Sequence, residues 1–388
     1  MTSRDVPEAG RVIPLTTVVL YLALGIAPAD GQVPQSQAPQ EQPSHPKLSQ
    51  AEVSDLKTKA EHGDVSAQWN LGKAYEVGNR VPQSDELAAK WYRKAADQGN
   101  ADAENSLGVM YRLGQGVNRD KEEAVRWYRK AAKLGNSQAM FNMGVSYYNG
   151  DGVPSNAGTA YAWFLLAQEA GSAAAEDAVT RSAEEGGRMG TPDAFLQIGE
   201  MYEKGADLPQ SDSEAVKWYR KAADANPLAR VRLAAMFING RGVPRDYEQA
   251  TVLCQSAARQ NYAPGQFCVG YIHEHGLGSQ ADPKEAAKWY RLASAGGNVP
   301  AMMVLGEMYS KGEGMGLDRP EACYFFFLAA RKGALDAKTR AQALWKEMSG
   351  DEIKHFEKKL RDARYDPHAV FAFMQDQTAP DAPGPSRP

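Results

Sequence analysis

One helical string recurs along this chain with almost the same letters. It stands as AAKWYRKAADQGN from Ala88, as EAVRWYRKAAKLGN from Glu123 and as EAVKWYRKAADANP from Glu214. A motif repeated at a regular period indicates supersecondary units, each of which buries its apolar face against its neighbours. The 388 residues are therefore interpreted as an array of units, and not as two or three ordinary domains.

The aromatic residue of this string sets the register of the array. Seven positions correspond, at spacings of 36, 36, 55, 35, 36 and 36 residues: Trp91, Trp127, Trp163, Trp218, Leu253, Trp289 and Phe325. Alanines three residues before and four residues after each position predict a helix with one face of small side chains. Ser, Asp or Asn lies seven residues before each position, and Glu or Gln follows three residues later in five units, which predicts N-caps with capping boxes.

A different helical string precedes each of these helices. Examples are LGVMY from Leu107, IGEMY from Ile198 and LGEMY from Leu305. The glycine inside this string is expected where a neighbouring backbone comes close. The paired glycines that follow, such as Gly114 and Gly116, suit positive φ angles in a tight turn. The unit is therefore a helix, a glycine turn and a capped helix. A phosphate-binding loop would need a strand before the glycines, and the sequence predicts none there.

Taken together, these elements resemble the Sel-one-like repeat (SLR) family, a relative of the tetratricopeptide repeats with a longer loop. The LG..Y and G.GV strings, the capped starts and the A..WY.KAA..G helix carry the resemblance over roughly residues 64–345. It implies an all-α fold, a right-handed α-solenoid of seven stacked helix-turn-helix repeats of about 36 residues. It also implies a scaffold that binds a protein or peptide in its concave face.

The N-terminal part of the chain differs from the repeats. Residues 1–29 contain an uncharged, mostly apolar stretch that ends in Ala27-Pro28-Ala29, which predicts a cleaved signal peptide. An uncleaved N-terminal anchor is the alternative. Residues 30–47 are rich in Pro and Gln and are interpreted as a flexible linker.

The 55-residue spacing interrupts the period with an alanine-rich helix, Ser172 to Met189. Two blocks are therefore expected, residues 48–189 with an extended end helix and residues 190–365 with a capping helix that begins at Ser349. Residues 366–388 are expected to be a flexible tail. One continuous superhelix with a surface insertion is the alternative.

Candidate binding residues lie along one stripe of the first helices, which line the concave face in related repeats. They are Asn70, Ser106, Met110, Asn142, Gln197, Met201, Arg232, Met236 and Met308. Amides and methionines suit a groove for an extended peptide or a helix. The alternative is that the methionines fill space between adjacent units.

Three cysteines are too few for a disulfide-built scaffold. Cys254 and Cys268 lie 14 residues apart on consecutive helices, and export favours their oxidation. Secreted relatives staple neighbouring helices in this manner, but with cysteines nearer the connecting turn, so a disulfide and two buried thiols both stay open. Cys323 is expected to be a buried thiol. His273 and His275 point to different helix faces, so no metal site is predicted.

The composition excludes some classes of function. With 44 basic and 48 acidic residues, the net charge is -4 and no basic stripe supports nucleic-acid binding. No arrangement of residues predicts catalysis or a cofactor. We expect a non-enzymatic scaffold or adaptor, periplasmic or secreted, that touches a membrane only through an uncleaved N-terminal segment. The resemblance leaves two alternatives: a weak β-lactam-binding or hydrolysing enzyme, like some cysteine-rich relatives, and a scaffold in polysaccharide export.

Overall fold

The computed structural model describes residues 49–185 and 191–375. Every regular element in these two ranges is an α-helix, in agreement with the predicted all-α fold of stacked helical hairpins. The described residues up to Gln210 form one compact unit, and those from Ser211 form a second. The predicted signal peptide, the linker and the junction between blocks lie outside the described residues, and the block boundaries remain a prediction.

The helices of the two units follow one another in hairpins. The first unit holds α1 (Gln50–Glu61), α2 (Val65–Val77), α3 (Asp85–Ala96), α4 (Ala101–Leu113), α5 (Lys121–Lys133), α6 (Ser137–Asn149), α7 (Ala157–Glu169), α8 (Ala173–Glu185) and α9 (Thr191–Lys204). The second holds α10 (Asp212–Ala223), α11 (Pro227–Asn239), α12 (Tyr247–Ala258), α13 (Ala263–His275), α14 (Pro283–Ala295), α15 (Val299–Lys311), α16 (Arg319–Arg331), α17 (Ala337–Glu347), α18 (Gly350–Asp362) and α19 (Pro367–Gln375).

All seven predicted N-caps are confirmed. In each, the cap side chain accepts a hydrogen bond from the backbone N–H three residues on: Ser84, Asp120, Asn156, Ser211, Asp246, Asp282 and Asp318. The five predicted capping boxes in these helices are wrong, and the four glutamates among them pair with a lysine or an arginine instead of with the cap backbone. Glu123 Oε2 lies 2.8 Å from Arg126 Nη1, and Glu285 Oε2 lies 2.6 Å from Lys288 Nζ. The capping box predicted at Ser349 is confirmed.

The glycine in the middle of a first helix receives an aromatic ring of the second helix. A Cβ built on Gly108 would lie 2.6 Å from Tyr128 Cε1, and one on Gly144 would lie 2.5 Å from Phe164 Cδ1. Both rings are fully buried. The predicted close approach exists, but the nearest atoms belong to a ring, with the backbone oxygen of Ala124 further from the added Cβ of Gly108 at 3.2 Å, which corrects the sequence interpretation.

The turn glycines make the close backbone approach. The first of each pair ends its helix in the left-handed conformation, as predicted, and Gly114 has φ of 77°. The second lies against the preceding repeat: a Cβ on Gly116 (φ 63°) would lie 2.1 Å from Asp85 O at the start of α3. An ion pair between Lys121 Nζ and Asp151 Oδ1, 2.5 Å long, joins the corresponding places one repeat later. The glycine turn therefore locks consecutive repeats together.

The break in the period is an extra helix. The predicted alanine-rich helix is confirmed as α8, which packs on α7 through the buried Ala175 and Ala178. Helix α9, at the start of the next repeat, also packs on α7. The turn after α9 reaches back to α5, where Arg129 Nε lies 2.5 Å from Asp207 Oδ1. Helix α8 thus occupies one side of α7 without interrupting the stacking of the first unit.

The C-terminal end is more ordered than the sequence suggested. Residues 367–375, part of the predicted flexible tail, form α19, and its Val370, Phe373 and Met374 are buried. They pack in one cluster with Phe327 and Phe356 of α16 and α18. Apolar side chains at helical spacing therefore extend the capping structure beyond residue 365.

Candidate functional site

The predicted stripe divides into polar residues at the surface and methionines in the core. Asn70 is exposed, and the polar members Ser106, Asn142, Gln197 and Arg232 are half-buried. We call these five residues the polar stripe. They lie on the first helices α2, α4, α6, α9 and α11, one to each repeat.

The four methionines pack in the core of their repeats. Met110, Met201, Met236 and Met308 are 2%, 8%, 1% and 2% exposed. Met110 belongs to a cluster with Leu107 and Trp127. Their burial favours the alternative interpretation, in which methionine fills irregular space between units. A ligand on this face would therefore meet the polar stripe, and we remove the methionines from the candidate site.

Two members of the polar stripe bond polar residues of a neighbouring helix. Asn142 Nδ2 donates to Asn105 Oδ1 of the preceding repeat at 2.8 Å. Gln197 Nε2 of α9 donates to Thr159 Oγ1 of α7 at 2.8 Å. Sequence reasoning missed Asn105 and Thr159. The sequence position of Asn105 could have indicated it. Asn105 directly precedes the stripe residue Ser106, on the side of α4 that faces α6.

The stripe begins in a groove between α1 and α2, at the N-terminal edge of the first unit. The groove has a volume of about 680 Å³. Its apolar lining includes Leu56, Ala74 and Val77, and its polar lining includes Asn70 and Lys73. Lys73 Nζ lies 4.6 Å from the centre of the Trp69 ring. The groove is open, since Asn70, Lys73 and Val77 are all exposed.

In the second unit, Arg232 of α11 acts electrostatically on Tyr262, the N-cap residue of α13. Burial raises the pKa of Tyr262, while the charge of Arg232 acts in the opposite direction. Tyr271 of α13 is 37% exposed, and its ring stacks on His275 with centroids 4.1 Å apart.

Cys254 and Cys268 are joined in the structure, with Cα atoms 5.7 Å apart. The bridge links α12 to α13, the next first helix. In this repeat Ala234 stands at the position of the helical glycine. Cys254 stands at the position of the aromatic ring that packs against that glycine in other repeats. Both are fully buried, so an alanine and a cysteine share the space that a glycine and a ring share in other repeats. Oxidation of Cys254 and Cys268 to a disulfide in the cell stays a prediction.

Other candidate chemistry is sparse in the part of the chain that the structure describes. Burial raises the pKa of the Cys323 thiol, the buried third cysteine. Within residues 49–185 and 191–375, no group of three His, Cys, Asp or Glu side chains is arranged to hold a metal ion. No helix in those ranges combines the length and the apolar character needed to cross a membrane.

Curated relatives share part of the array. The chain is 32% identical over 108 residues to chitin synthase regulatory factor 3 of Schizosaccharomyces pombe, over 27% of this chain and 12% of that protein. It is 31% identical over 87 residues to the ERAD-associated E3 ubiquitin-protein ligase component HRD3B of Arabidopsis thaliana, over 22% of this chain and 14% of that protein. The chain therefore spans a small part of the length of these relatives, which are named as a regulatory factor and a ligase component.

Two solved structures are similar over more of the chain. A Sel1 repeat protein from Oxalobacter formigenes is 25% identical, with 91% of this chain and 99% of that chain covered and a TM-score of 0.43. A protective antigen of uropathogenic Escherichia coli with an SLR fold is 32% identical, with 82% and 73% covered and a TM-score of 0.40.

The family pattern of the Sel1 repeat matches the chain seven times. The matched residues are 65–100, 101–136, 137–172, 192–227, 227–262, 263–298 and 299–333. The matches leave out α8 (Ala173–Glu185), in agreement with its place between the third and fourth repeats. They span more than half of the chain, and the chain therefore belongs to the Sel1 repeat family.

Proposed function

We propose that this protein is a non-enzymatic scaffold that binds an extended segment of a partner protein across its first-helix face. Sel1 repeat proteins serve as interaction scaffolds and adaptors, and the relatives named above are a regulatory factor and a ligase component. The partner is recognised on the polar stripe of the first unit, which consists of the uncharged side chains of Asn70, Ser106, Asn142 and Gln197.

The amide pair of Asn105 and Asn142 carries this proposal. Their mutual hydrogen bond uses one donor and one acceptor. The Nδ2 group of Asn105 and the Oδ1 atom of Asn142 take no part in this bond and stay available, since each amide group has two N–H donors and an oxygen with two lone pairs. A donor and an acceptor side by side match the C=O and N–H of an extended main chain, which is the group that peptide-binding surfaces recognise independently of sequence.

Apolar side chains flank the amide pair and supply area for the side chains of a bound segment. Leu113 at the end of α4 is 44% exposed, and Val77 at the end of α2, one repeat earlier, is 55% exposed. Val109, one helical turn before Leu113 on α4, is half-buried. Exposed aliphatic residues at equivalent places of adjacent repeats form a surface that a partner would cover.

Replacing Asn142 by serine should weaken peptide binding about tenfold, which is about 1.4 kcal/mol. The repeat tolerates serine here, because Ser106 holds the equivalent position one repeat earlier. Peptides selected on the wild-type chain from a phage-displayed random library would be measured by fluorescence polarisation. The matched control is Asn118→Ser in the exposed turn after α4.

The control should bind like the wild type, and both variants should melt within a few degrees of it. Equal affinity of Asn142→Ser and wild type would remove the amide pair from the binding site. A large drop in melting temperature with unchanged affinity would assign Asn142 to packing between repeats.

We further propose export of the chain, with cleavage near Asp30 and oxidation of Cys254 and Cys268. Protein from the native cell, unfolded without reductant and alkylated, should carry the label on Cys323 alone. Peptide mapping should find the Cys254–Cys268 cross-link and a mature N-terminus at Asp30 or within a few residues of it. An intact Met1 would contradict the export proposal, and label on all three cysteines would establish free thiols.

A further inference from the structure

One position of the first helices is buried and polar in several repeats. It lies two residues before the stripe position and holds Gln68 in α2, Glu104 in α4, Arg230 in α11 and, two residues before Cys268, Gln266 in α13. These side chains are 4%, 5%, 9% and 6% exposed. A buried polar group destabilises the fold unless it finds a hydrogen-bond partner, so each repeat must satisfy this position in its own way.

Gln68 and Arg230 donate to the end of the preceding helix. Gln68 Nε2 donates to Ala60 O of α1 at 3.1 Å. Arg230 Nε and Nη2 donate to Ala223 O and Asp224 O at the end of α10, both at 2.6 Å. The last carbonyls of a helix have no partner inside the helix and carry its negative dipole end, so a donor here stabilises the contact between repeats.

Glu104 cannot play this role as a carboxylate, because an ionised carboxylate only accepts hydrogen bonds. Its Oε2 is buried and has no hydrogen-bond partner in the structure. Gln68 also receives a hydrogen bond from Gln98 at 2.7 Å. The residue that corresponds to Gln98 one repeat later is Leu134, which has no donor to offer.

The charged groups around Glu104 do not form an ion pair with it. Lys130 of α5 acts on it electrostatically, but the Lys130 Nζ lies over the Trp127 ring, 3.8 Å from its centre. At the end of α3, Asp97 is the exposed C-cap. On its own helix, Asp102 accepts a hydrogen bond from Asn136.

We propose that Glu104 is protonated in the folded protein and that its carboxyl O–H donates to the carbonyl of Ala96 at the end of α3. Ala96 corresponds to Ala60, the acceptor of Gln68, one repeat earlier. The proton completes the contact between the first two repeats. Loss of the proton leaves a buried negative charge beside the negative end of α3 and loosens that contact.

The pH range follows from the direction of the shift. Burial raises the pKa of Glu104 above its ordinary value of 4.5, and the charge of Lys130 offsets only part of this. The folded chain therefore holds the proton more tightly than the unfolded chain does. The stability that the proton contributes is complete below the ordinary pKa and is lost as the pH rises through the raised pKa of the folded state.

The test is Glu104→Gln in the full chain, because glutamine keeps the shape and supplies the donor at every pH. The unfolding equilibrium constants of variant and wild type would be measured by urea titration from pH 4 to pH 8. We expect similar constants at the acidic end and, above the raised pKa, a constant for the variant that is about tenfold smaller, in line with the cost of leaving a buried hydrogen bond unmade. Hydrogen exchange of the α4 amides should show the same increase in protection.

The reciprocal variant tests the same position in another repeat. Gln68→Glu should lower stability as the pH rises and recover toward wild type in acid. The exposed Glu122→Gln is the control, and its difference from wild type should not depend on pH in this way. A pH-independent difference between Glu104→Gln and wild type, or a variant that is the less stable of the two at every pH, would show that Glu104 is ionised in the fold throughout this range and would overturn the proposal.

Discussion

Replacing Trp127 by alanine should lower the free energy of unfolding by about 3–5 kcal/mol, the range measured when a large buried aromatic side chain is truncated. Trp127 is 3% exposed. Its ring packs in one cluster with side chains of α3 and α4, among them Leu107 and Met110. The guanidinium of Arg93, in the preceding repeat, lies 4.7 Å from the ring centre. The indole therefore joins two repeats, and its removal leaves a cavity between them.

One feature of the ring shifts the expectation to the lower end of this range. The indole Nε1–H is buried and has no hydrogen-bond partner in the structure. Leaving such a donor unpaired costs about 1–3 kcal/mol in the folded state, and alanine removes that cost together with the ring. A urea titration would measure the difference. Trp91→Ala is the matched comparison, since Trp91 holds the same register position in the first repeat but is only half-buried.

The comparison separates a contact between repeats from general helix stability. We expect the Trp91 variant to lose clearly less than the Trp127 variant. A loss below about 1 kcal/mol at Trp127 would be typical of a surface substitution and would contradict the role of the ring in joining repeats.

The repeat architecture could be predicted because each of its signals recurs in register. Ser84 alone would be a weak N-cap, but seven cap residues at one register position predict seven helix starts, and all seven are observed. The alternation of helix, glycine turn and helix could be predicted in the same way, because the glycines also recur at fixed positions of the repeat. Local rules suffice here because the backbone of a first turn needs the same hydrogen bond wherever it occurs.

Contacts between repeats were harder to predict, because they depend on which groups meet in space. The capping-box pattern at Glu123 was sound locally, but Arg126 lies one turn further on the same helix and competes for the carboxylate. The helical Gly108 signalled a close neighbour without saying that it would be the Tyr128 ring. Helix α19 could not be predicted from its own residues, because it is short and begins at Pro367. Its apolar side chains are explained only by their contact with the cluster that holds Phe327 and Phe356.

The candidate site was predicted in part for a similar reason. A helix of 3.6 residues per turn puts Asn142 and Ser146 on one stripe, but the stripe is wider than the surface left open by the next repeat. Side chains one turn beyond the polar stripe, such as Met110 and Met236, fall under the neighbouring repeat and are buried. The sequence alone could not separate the exposed polar residues of the stripe from its buried methionines. Which of them the next repeat covers depends on the rotation between adjacent repeats.

The turn glycines allow the sharpest test of how repeats are joined, because the chain offers a glycine of similar backbone conformation without the contact. At Gly116, φ is 63° and an added Cβ would lie 2.1 Å from Asp85 O of the preceding repeat. At Gly135, φ is 85° and no atom lies within 4 Å of an added Cβ. Alanine at either site adopts a left-handed conformation at a cost of roughly 1–2 kcal/mol. Only at Gly116 does it also overlap a backbone carbonyl.

Gly116→Ala should therefore lower the free energy of unfolding by about 3 kcal/mol, since overpacking adds roughly 1–3 kcal/mol to the conformational cost. Gly135→Ala should lower it by the conformational cost alone. The difference between the two variants, measured by urea titration under one set of conditions, isolates the contact with Asp85 from the strain of the turn. Equal losses would mean that the loop moves away from α3 without penalty, and that the glycine serves only its own turn.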